Sequence, residues 1–274
     1  MSIDNCNIYT KNGGGEKLKT HRIQEIENYI VKHENVSIDT LCSVFNVSKN
    51  TIRRDISELE EKGIIKKVYG GVTINNKEKK STVPFTEREI KNKSEKQIIA
   101  EAASKLIDDG DIIFIDSGTT TMHMIPFLAD KKNVTIITNN LNVLVIALMY
   151  PNLNVLSPGG SLFRKTNSLI GIEAVNFLTN YNIGKAFMAT TGVSISKGVT
   201  NSSSIEYQIK KTVVEKSDKV IILADNSKFD VSSLMTYCEL EEIDTFITDK
   251  LPPKSYETFF KEKNIELIIA NNEY

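Results

Sequence analysis

From residue 94 onward the chain repeats one rhythm: a short apolar run, a small polar turn, then a stretch with helical spacing. The runs cover residues 112–115, 134–137, 154–156, 186–189, 220–224, 245–248 and 267–270. Most are rich in Ile and Val and lack a period of two, as strands buried on both faces do. Helical patterns intervene near 120–129, 140–149, 172–179, 203–216 and 255–263. A further helix precedes the first run, carrying Ile98, Ile99, Ala102, Ala103, Leu106 and Ile107 and ended by Gly110. Such alternation predicts an α/β domain with a doubly wound, mostly parallel sheet over residues 94–274.

The rhythm upstream is different. Ile23, Ile26, Ile30 and Val31 recur at steps of three and four, so a helix is expected there. Ser37 can cap a second, short helix whose apolar positions are Ile38, Leu41, Val44 and Phe45, and Asn46-Val47 makes a tight turn. Ser48 can cap a third, with Ile52, Ile56 and Leu59 on one face and Gly63 as its stop. Residues 64–69 and 72–74, separated by Gly70-Gly71, read as a small hairpin. Three helices and a hairpin make a winged helix-turn-helix over 18–74. Residues 1–17, with Gly13-Gly14-Gly15, are expected to form a flexible tail, and the charged stretch 75–93 a linker.

Charge follows the same division. Residues 17–80 carry 13 Lys and Arg against 9 Asp and Glu, whereas residues 81–274 carry 20 against 24. A basic block joined to an acidic one suggests different partners, although a charged face alone is often only a solvated one. The three cysteines (Cys6, Cys42, Cys238) and three histidines (His21, His33, His123) are scattered. They suit a reduced, cytoplasmic protein without a disulfide framework or metal site. No secretory signal and no run of membrane-spanning length are apparent.

With Ile52, Ile56 and Leu59 turned inward, Lys49, Asn50, Arg53 and Arg54 fall on the opposite face of the third helix or its flanks. That placement suits a helix in the major groove, its first residues at base edges. Lys66 and Lys67 on the wing would flank the DNA backbone. In the second block, Asp116-Ser117-Gly118-Thr119-Thr120-Thr121 follows a strand and precedes a helical pattern. Small hydroxyl residues around a glycine at a helix start favour a phosphate; the plainer reading is a capped helix without a ligand. Other polar turns sit after strands: Thr138-Asn139-Asn140, Ser157-Pro158-Gly159-Gly160, Thr190-Thr191-Gly192 and Asp225-Asn226-Ser227-Lys228. Ligands of open α/β sheets bind beyond the strands' carboxyl ends, so these turns can converge on one crevice. The expected effector set is Asp116, Ser117, Gly118, Thr119, Thr120, Asn139, Asn140, Gly159, Gly160, Thr191, Gly192 and Lys228.

The stretch 36–56, with Thr51-Ile52-Arg53-Arg54-Asp55, followed by Leu59-Glu60-Glu61-Lys62-Gly63-Ile64 and Tyr69-Gly70-Gly71-Val72, resembles the DNA-binding domain of the DeoR family of bacterial transcription regulators. Tyr69 stands where that family usually has His, and Lys67 where Arg is common. The resemblance implies a DNA-facing set of Ser37, Ser48, Lys49, Asn50, Thr51, Arg53, Arg54, Lys66, Lys67, Tyr69, Gly70 and Gly71. It extends through the 116–120 turn, Thr138-Asn139-Asn140, Gly159-Gly160, Gly171, Gly198-Val199-Thr200, Glu206 and residues 225–229, covering about 18–250. That part is similar to the effector domain of the family, and through it to ribose-5-phosphate isomerase, glucosamine-6-phosphate deaminase and CoA transferases.

The resemblance implies a regulator, expected to be a repressor of sugar-uptake or catabolism genes, that binds operator DNA as a homo-oligomer and senses a phosphorylated sugar. No cofactor and no catalytic residue are expected. Two readings stand beside it: a sugar-phosphate isomerase or deaminase carrying a DNA-binding domain, and a binding module for a partner protein. Against the enzyme, no cluster of Asp, Glu and His lies near the 116–121 turn in the sequence.

Overall fold

The computed structural model describes residues 15–33, 35–61, 65–68, 70–74 and 85–270. The chain divides into two compact units, residues 1–81 and 82–274.

In the first unit the elements run α1 (Gly15–His33), β1 (Asn35–Ser37), α2 (Ile38–Phe45), α3 (Lys49–Glu61), β2 (Ile65–Val68) and β3 (Gly71–Ile74). The caps form as their residues dictate. The Ser37 hydroxyl accepts the Thr40 N–H at 3.0 Å, and the Ser48 hydroxyl accepts that of Thr51 at 3.2 Å. Asn46, left-handed at φ 51, ends α2 and donates its N–H to the Cys42 carbonyl. Ile23, Ile26 and Ile30 of α1 meet Leu41 of α2 and Ile52, Ile56 and Leu59 of α3 in one core, closed by Val36, Ile65 and Val72. The Arg22 guanidinium binds both oxygens of buried Asp55, at 2.8 and 3.2 Å, fastening α1 to α3.

Three features depart from expectation. Helix α1 starts at Gly15, so residues 15–17 are helical, not tail: Glu16, Lys17 and Leu18 are good helix formers that extend the pattern upstream. Val44 is exposed, because the inner stripe of α2 runs through Ile38, Leu41, Cys42 and Phe45. Strand β1 pairs antiparallel with β3, making a three-stranded sheet in place of a hairpin; three residues carry no readable alternation. The tail's residues 1–14, the Gly63 stop and the linker's residues 75–84 lie outside the described residues.

The second unit runs α4 (Phe85–Ile90), α5 (Lys93–Ser104), β4 (Ile112–Ile115), a 3-10 helix (Thr121–Leu128), β5 (Thr135–Ile137), α6 (Leu141–Ala147) and β6 (Asn154–Leu156). Then come β7 (Ser161–Phe163), β8 (Ser168–Ile170), α7 (Ile172–Leu178), β9 (Ile183–Ala189), β10 (Gly192–Ser194) and β11 (Gly198–Asn201). Last are α8 (Ser204–Lys216), β12 (Ser217–Leu223), β13 (Met235–Cys238), β14 (Thr245–Thr248), α9 (Lys254–Glu262) and β15 (Glu266–Ile269).

Each of the seven apolar runs contributes to one sheet, in the order β15-β14-β12-β9-β4-β5-β6, and every pairing in it is parallel. Successive side chains point to opposite faces, which is why the runs are apolar throughout. In β9, Ala186 and Met188 enter a core with α7, α8 and α9, while Phe187 enters another with α5, the 3-10 helix and α6.

Here too the structure departs from or adds to what was expected. Helix α4 lies inside the span read as linker, because Phe85 is buried in the second of these cores. Residues 121–128 form a 3-10 helix where an α-helix was expected: Pro126 has no N–H to close a bond to the Met122 carbonyl. Short antiparallel pairings also decorate the sheet, β7 with β8 and β10-β11-β13. The last pairs Val199 with Cys238 across a long gap in sequence, which no local pattern reveals.

The sheet order reverses between β4 and β9. From β4 the chain builds outward through β5 and β6; from β9 it builds the other way through β12, β14 and β15. The crevice beyond the carboxyl ends of β4 and β9 is thus the position where open α/β sheets receive ligands.

Candidate functional site

In the first unit the outer face of α3 carries Asn50, Arg53 and Arg54, all exposed, opposite buried Ile52, Ile56 and Leu59. Lys66 is exposed on β2. Other members of the expected DNA-facing set are already engaged. Lys49 pairs with Asp39 of α2 at 2.6 Å, which raises its pKa. The Lys67 ammonium turns back onto α3, 2.8 Å from Glu60 and 2.9 Å from the Ser57 hydroxyl. Hydrogen bonds from the Lys67 ammonium and backbone N–H hold the Glu60 carboxyl below its usual range.

Ser37, Ser48 and Thr51 are occupied at helix starts. Gly70, at φ 79, accepts the Ile38 N–H, and Gly71 lies so close to β1 that a Cβ would sit 2.5 Å from the Val36 carbonyl oxygen. These residues shape the surface rather than present side chains on it. Tyr69 lies outside the described residues.

The second unit places a small polar cavity at the switch point. Arg88, Ser117, Gly118, Thr166, Ala189, Thr190, Thr191, Asn201, Ser202, Glu206 and Lys210 line it, and it encloses about 40 Å³. Gly118 is required by the approach of the two central strand ends, since a Cβ there would fall 2.1 Å from that of Ala189. Thr121 donates its hydroxyl to the carbonyls of Asp116 and Gly118, at 2.8 and 3.1 Å. The Asn140 amide donates to the same two, at 3.2 and 3.4 Å. The 116–120 turn is thereby fixed from beneath.

Asp116 is 1% exposed and accepts the Ala189 N–H at 2.9 Å, joining β4 to β9. Its charge is met by Lys210, 6% exposed, which also donates to the Ala189 carbonyl at 3.0 Å and stands 5.0 Å above the Tyr237 ring. Burial, with Asp116 nearby, pushes the Tyr237 hydroxyl well above its usual pKa. Glu206, one turn before Lys210 on α8, accepts the Ser117 hydroxyl at 2.8 Å and that of Ser168 at 3.4 Å. Buried Asn201 donates to the Ser203 carbonyl at 3.0 Å, while its own carbonyl oxygen has no hydrogen-bond partner.

Cations continue from Arg88. Burial lowers the Arg88 pKa, opposed by Glu206 and Asp116. The Lys96 ammonium donates to the Arg88 carbonyl. Burial lowers Lys96 to about 8, against the attraction of Asp225 and with added repulsion from Lys228 and Arg88. Lys228 is lowered by burial in the same way. Burial works to raise Asp225, but hydrogen bonds from Ser227 and Asn92 and the charge of Lys228 hold it below its usual range.

Of the expected effector residues, Ser117, Gly118 and Thr191 line the cavity and Asp116 reaches it through Lys210. Thr119 and Thr120 are buried in the same turn. Asn139 and Asn140 lie behind it: Asn140 holds the turn, and Asn139 donates to the Leu169 carbonyl of β8. Gly159 and Gly160 do not line the cavity; Gly160, at φ 131, turns the chain into β7 with no room for a Cβ beside the Ile170 carbonyl. Gly192 packs against the Val231 carbonyl, and Lys228 joins the group around Asp225 and Lys96.

The sequence reading missed Arg88, Thr166, Asn201, Ser202 and Lys210, named Thr190 only as part of its polar turn, and assigned Glu206 no role. One signal existed. Glu206 and Lys210 fall in the stripe of α8 that also contains Ile209 and Val213, so two charges interrupt a buried helical face. Among the described residues no cluster of His, Cys, Asp or Glu could hold a metal ion.

A winged helix-turn-helix and a parallel sheet with a polar cavity at its switch point define a DNA-binding protein with a ligand-type domain. Residues 22–78 match the DeoR-like helix-turn-helix domain and residues 91–250 the DeoR C terminal sensor domain. The chain belongs to the DeoR family and is a transcriptional regulator, not an enzyme.

It is 46% identical over 253 residues to the HTH-type transcriptional regulator IolR of Bacillus subtilis, covering 92% of this chain and 100% of that one. It is 30% identical to a putative aga operon transcriptional repressor of Escherichia coli O157:H7, covering 93% and 97%. It is 28% identical to the HTH-type transcriptional repressor GlcR of Bacillus subtilis, covering 92% and 96%. Among solved structures, the full-length sorbitol operon regulator SorC of Klebsiella pneumoniae aligns over 94% of this chain and 98% of its own, at 11% identity and a TM-score of 0.39. Ribose 5-phosphate isomerase A of Methanocaldococcus jannaschii aligns over 50% and 55%, at 20% identity and a TM-score of 0.37.

Proposed function

We propose that this regulator is a cytoplasmic repressor of sugar-uptake or catabolism genes, that at least two copies bind double-stranded operator DNA, and that a phosphorylated sugar releases it. The observation that carries the effector class is the mixed polarity of the switch-point cavity. A sugar needs acceptors for its hydroxyls, and the Glu206 carboxylate and the unpartnered Asn201 carbonyl supply them. A phosphate needs cations, and Arg88 supplies one, with Lys96 and Lys228 beyond it. Several relatives named as repressors support the sign of regulation.

On the DNA side, Arg53, Arg54 and Asn50 read base edges in the major groove, while Lys49, Lys66 and Lys67 meet phosphates. On the effector side, a cavity of about 40 Å³ is near the size of one water, far below the several hundred Å³ of an ordinary ligand site. A sugar phosphate therefore has to open it. A ligand that favours an opened form shifts the balance of conformations, which is the requirement for coupling to a distant DNA surface.

The test is a pair of titrations on the full chain: calorimetry with a panel of sugar phosphates, then operator binding with and without any ligand found. The expected result is one tight ligand that lowers operator affinity about 5- to 150-fold, with binding lost in Arg88→Ala. A tight sugar phosphate that leaves operator affinity unchanged would overturn the sensor reading.

A further inference from the structure

Strand β2 is an edge of the three-stranded sheet in the first unit, with β3 on one side only. An edge strand presents unpaired N–H groups on its open side. One of them, the Lys67 N–H, donates to Glu60 Oε1 of α3 at 3.1 Å. The Lys67 ammonium lies 2.8 Å from the other oxygen of the same carboxylate. It also donates to the Ser57 hydroxyl at 2.9 Å, and Ser57 donates in turn to the Arg53 carbonyl at 2.8 Å. These bonds run from the wing strand to the helix turn that carries Arg53, and Lys66, next along β2, is exposed. Glu60 is itself 38% exposed, so a carboxylate stands at the surface of a unit read as meeting a polyanion. By charge alone an acid there opposes DNA binding.

We infer that Glu60 is a positioning residue for DNA recognition: it fixes the wing strand β2 at one distance and angle from α3, so that Lys66 and the arginines of α3 meet the duplex in register. The inference rests on the operator-binding reading above. A helix in a groove and a lysine on the flanking backbone add their contributions only when the spacing between them is set beforehand; ordering a loose wing on the duplex costs affinity. Binding to unmatched DNA makes no such demand, because charges find phosphates in any register. Glu60 therefore acts in opposite senses on the two kinds of DNA. Its charge lowers affinity for any duplex, and its geometry raises affinity for the matched one. The backbone bond is the essential part. The Lys67 ammonium can leave for a phosphate while the Lys67 N–H stays on Oε1 and keeps β2 in place.

The experiment compares two duplexes on the full chain: the tightest one that the wild type selects from a random-sequence pool, and an unselected duplex of equal length. Glu60→Ala should bind the selected duplex about three- to tenfold more weakly. It should bind the unselected duplex as well as the wild type or better, having lost a negative charge. Glu60→Gln makes the same change in charge but keeps a carbonyl oxygen for the Lys67 N–H. It should therefore hold the selected duplex within about twofold of wild type. Urea unfolding accompanies each titration. If Glu60→Ala unfolds the unit, Glu60→Asp takes its place: it keeps the charge and draws the carboxylate back by one methylene, so it should lose selected-duplex affinity where Glu60→Gln does not. An alanine variant that binds the selected duplex as tightly as wild type overturns the inference. So does a glutamine variant that falls as far as alanine, since charge or folding would then account for the loss. A pool from which the wild type enriches no duplex sinks the operator reading and this inference with it, whereas enrichment without the alanine effect sinks the inference alone.

Discussion

Both units contain a buried aspartate bound to a cation, and the two pairs differ in where the cation stands. Asp55 is buried, but its partner Arg22 is 27% exposed and reaches the unit's surface. Asp116 and Lys210 are both enclosed, and a cation–π contact and the Ala189 carbonyl hold the lysine further. In the helical unit the arginines proposed to face DNA, Arg53 and Arg54, stand exposed outside the core. In the sheet unit Asp116, Glu206 and Lys210 are buried, where they line or back the cavity and tie strands and helix together at once. If the cavity and α3 act as proposed, a change in ligand recognition also changes stability, whereas a change in DNA recognition need not.

That contrast is open to attack, and the largest expected effect concerns the enclosed pair. Lys210→Met leaves the Asp116 carboxylate buried without its ammonium and should cost about 3–5 kcal/mol. Asp55→Ala leaves a guanidinium that can turn to water and should cost about 1–2 kcal/mol. Chemical denaturation of the full chain, followed by probes in each unit, measures both. Equal losses would show that the two pairs are energetically alike.

The next effect concerns DNA. Arg53→Ala should weaken operator binding by about 1–3 kcal/mol and relax sequence preference, with a stability change within about 0.5 kcal/mol. Lys49→Ala and Lys67→Ala should cost less, because each lysine must first release Asp39 or Glu60, and should mainly flatten the salt dependence. Salt-series titrations distinguish the cases. An Arg53 variant that unfolds the helical unit would break the separation of recognition from stability.

The smallest effect is in pH. Burial sets Lys96 at about 8, so above that pH the free protein has lost this charge. An anionic effector favours the ammonium, so binding at pH 9 takes up a proton and affinity falls as pH rises past 8, by up to about tenfold per unit. Arg88, Lys228, Asp225 and Glu89 surround the group, and Lys228 adds to the slope in the same direction. Lys96→Arg, which stays charged, should flatten it. Calorimetry in two buffers of different ionisation heat reads the proton directly, and its absence would place Lys96 out of the effector's reach.

The helix-turn-helix and all seven strands of the parallel sheet were legible because each rests on a local period: Ile52, Ile56 and Leu59 three and four apart, or an unbroken run such as residues 112–115. The arginines of α3 were legible for the same reason, since a helix of known inner face has a known outer one. The cavity was half legible. Turns such as 116–120 announce themselves by composition and position after a strand. Arg88, Asn201 and Lys210 do not, because α4 is far in sequence from β11 and α8, and all of them are far from the 116–120 turn, so they meet only when the sheet is wound.

The sequence by itself thus determined what repeats within a few residues: the helix periods, the strand runs, the caps at Ser37 and Ser48, and the basic face of α3. Tertiary structure alone decided which charges are neutralised. It sent Lys67 back to Glu60, closed Lys210 onto Asp116 across 94 residues of chain, and left the Asn201 carbonyl unpartnered in the cavity. The physical reason is range. Periodicity is written between neighbours along the chain, whereas a buried charge takes its partner and its pKa from whatever the fold brings within a few ångströms.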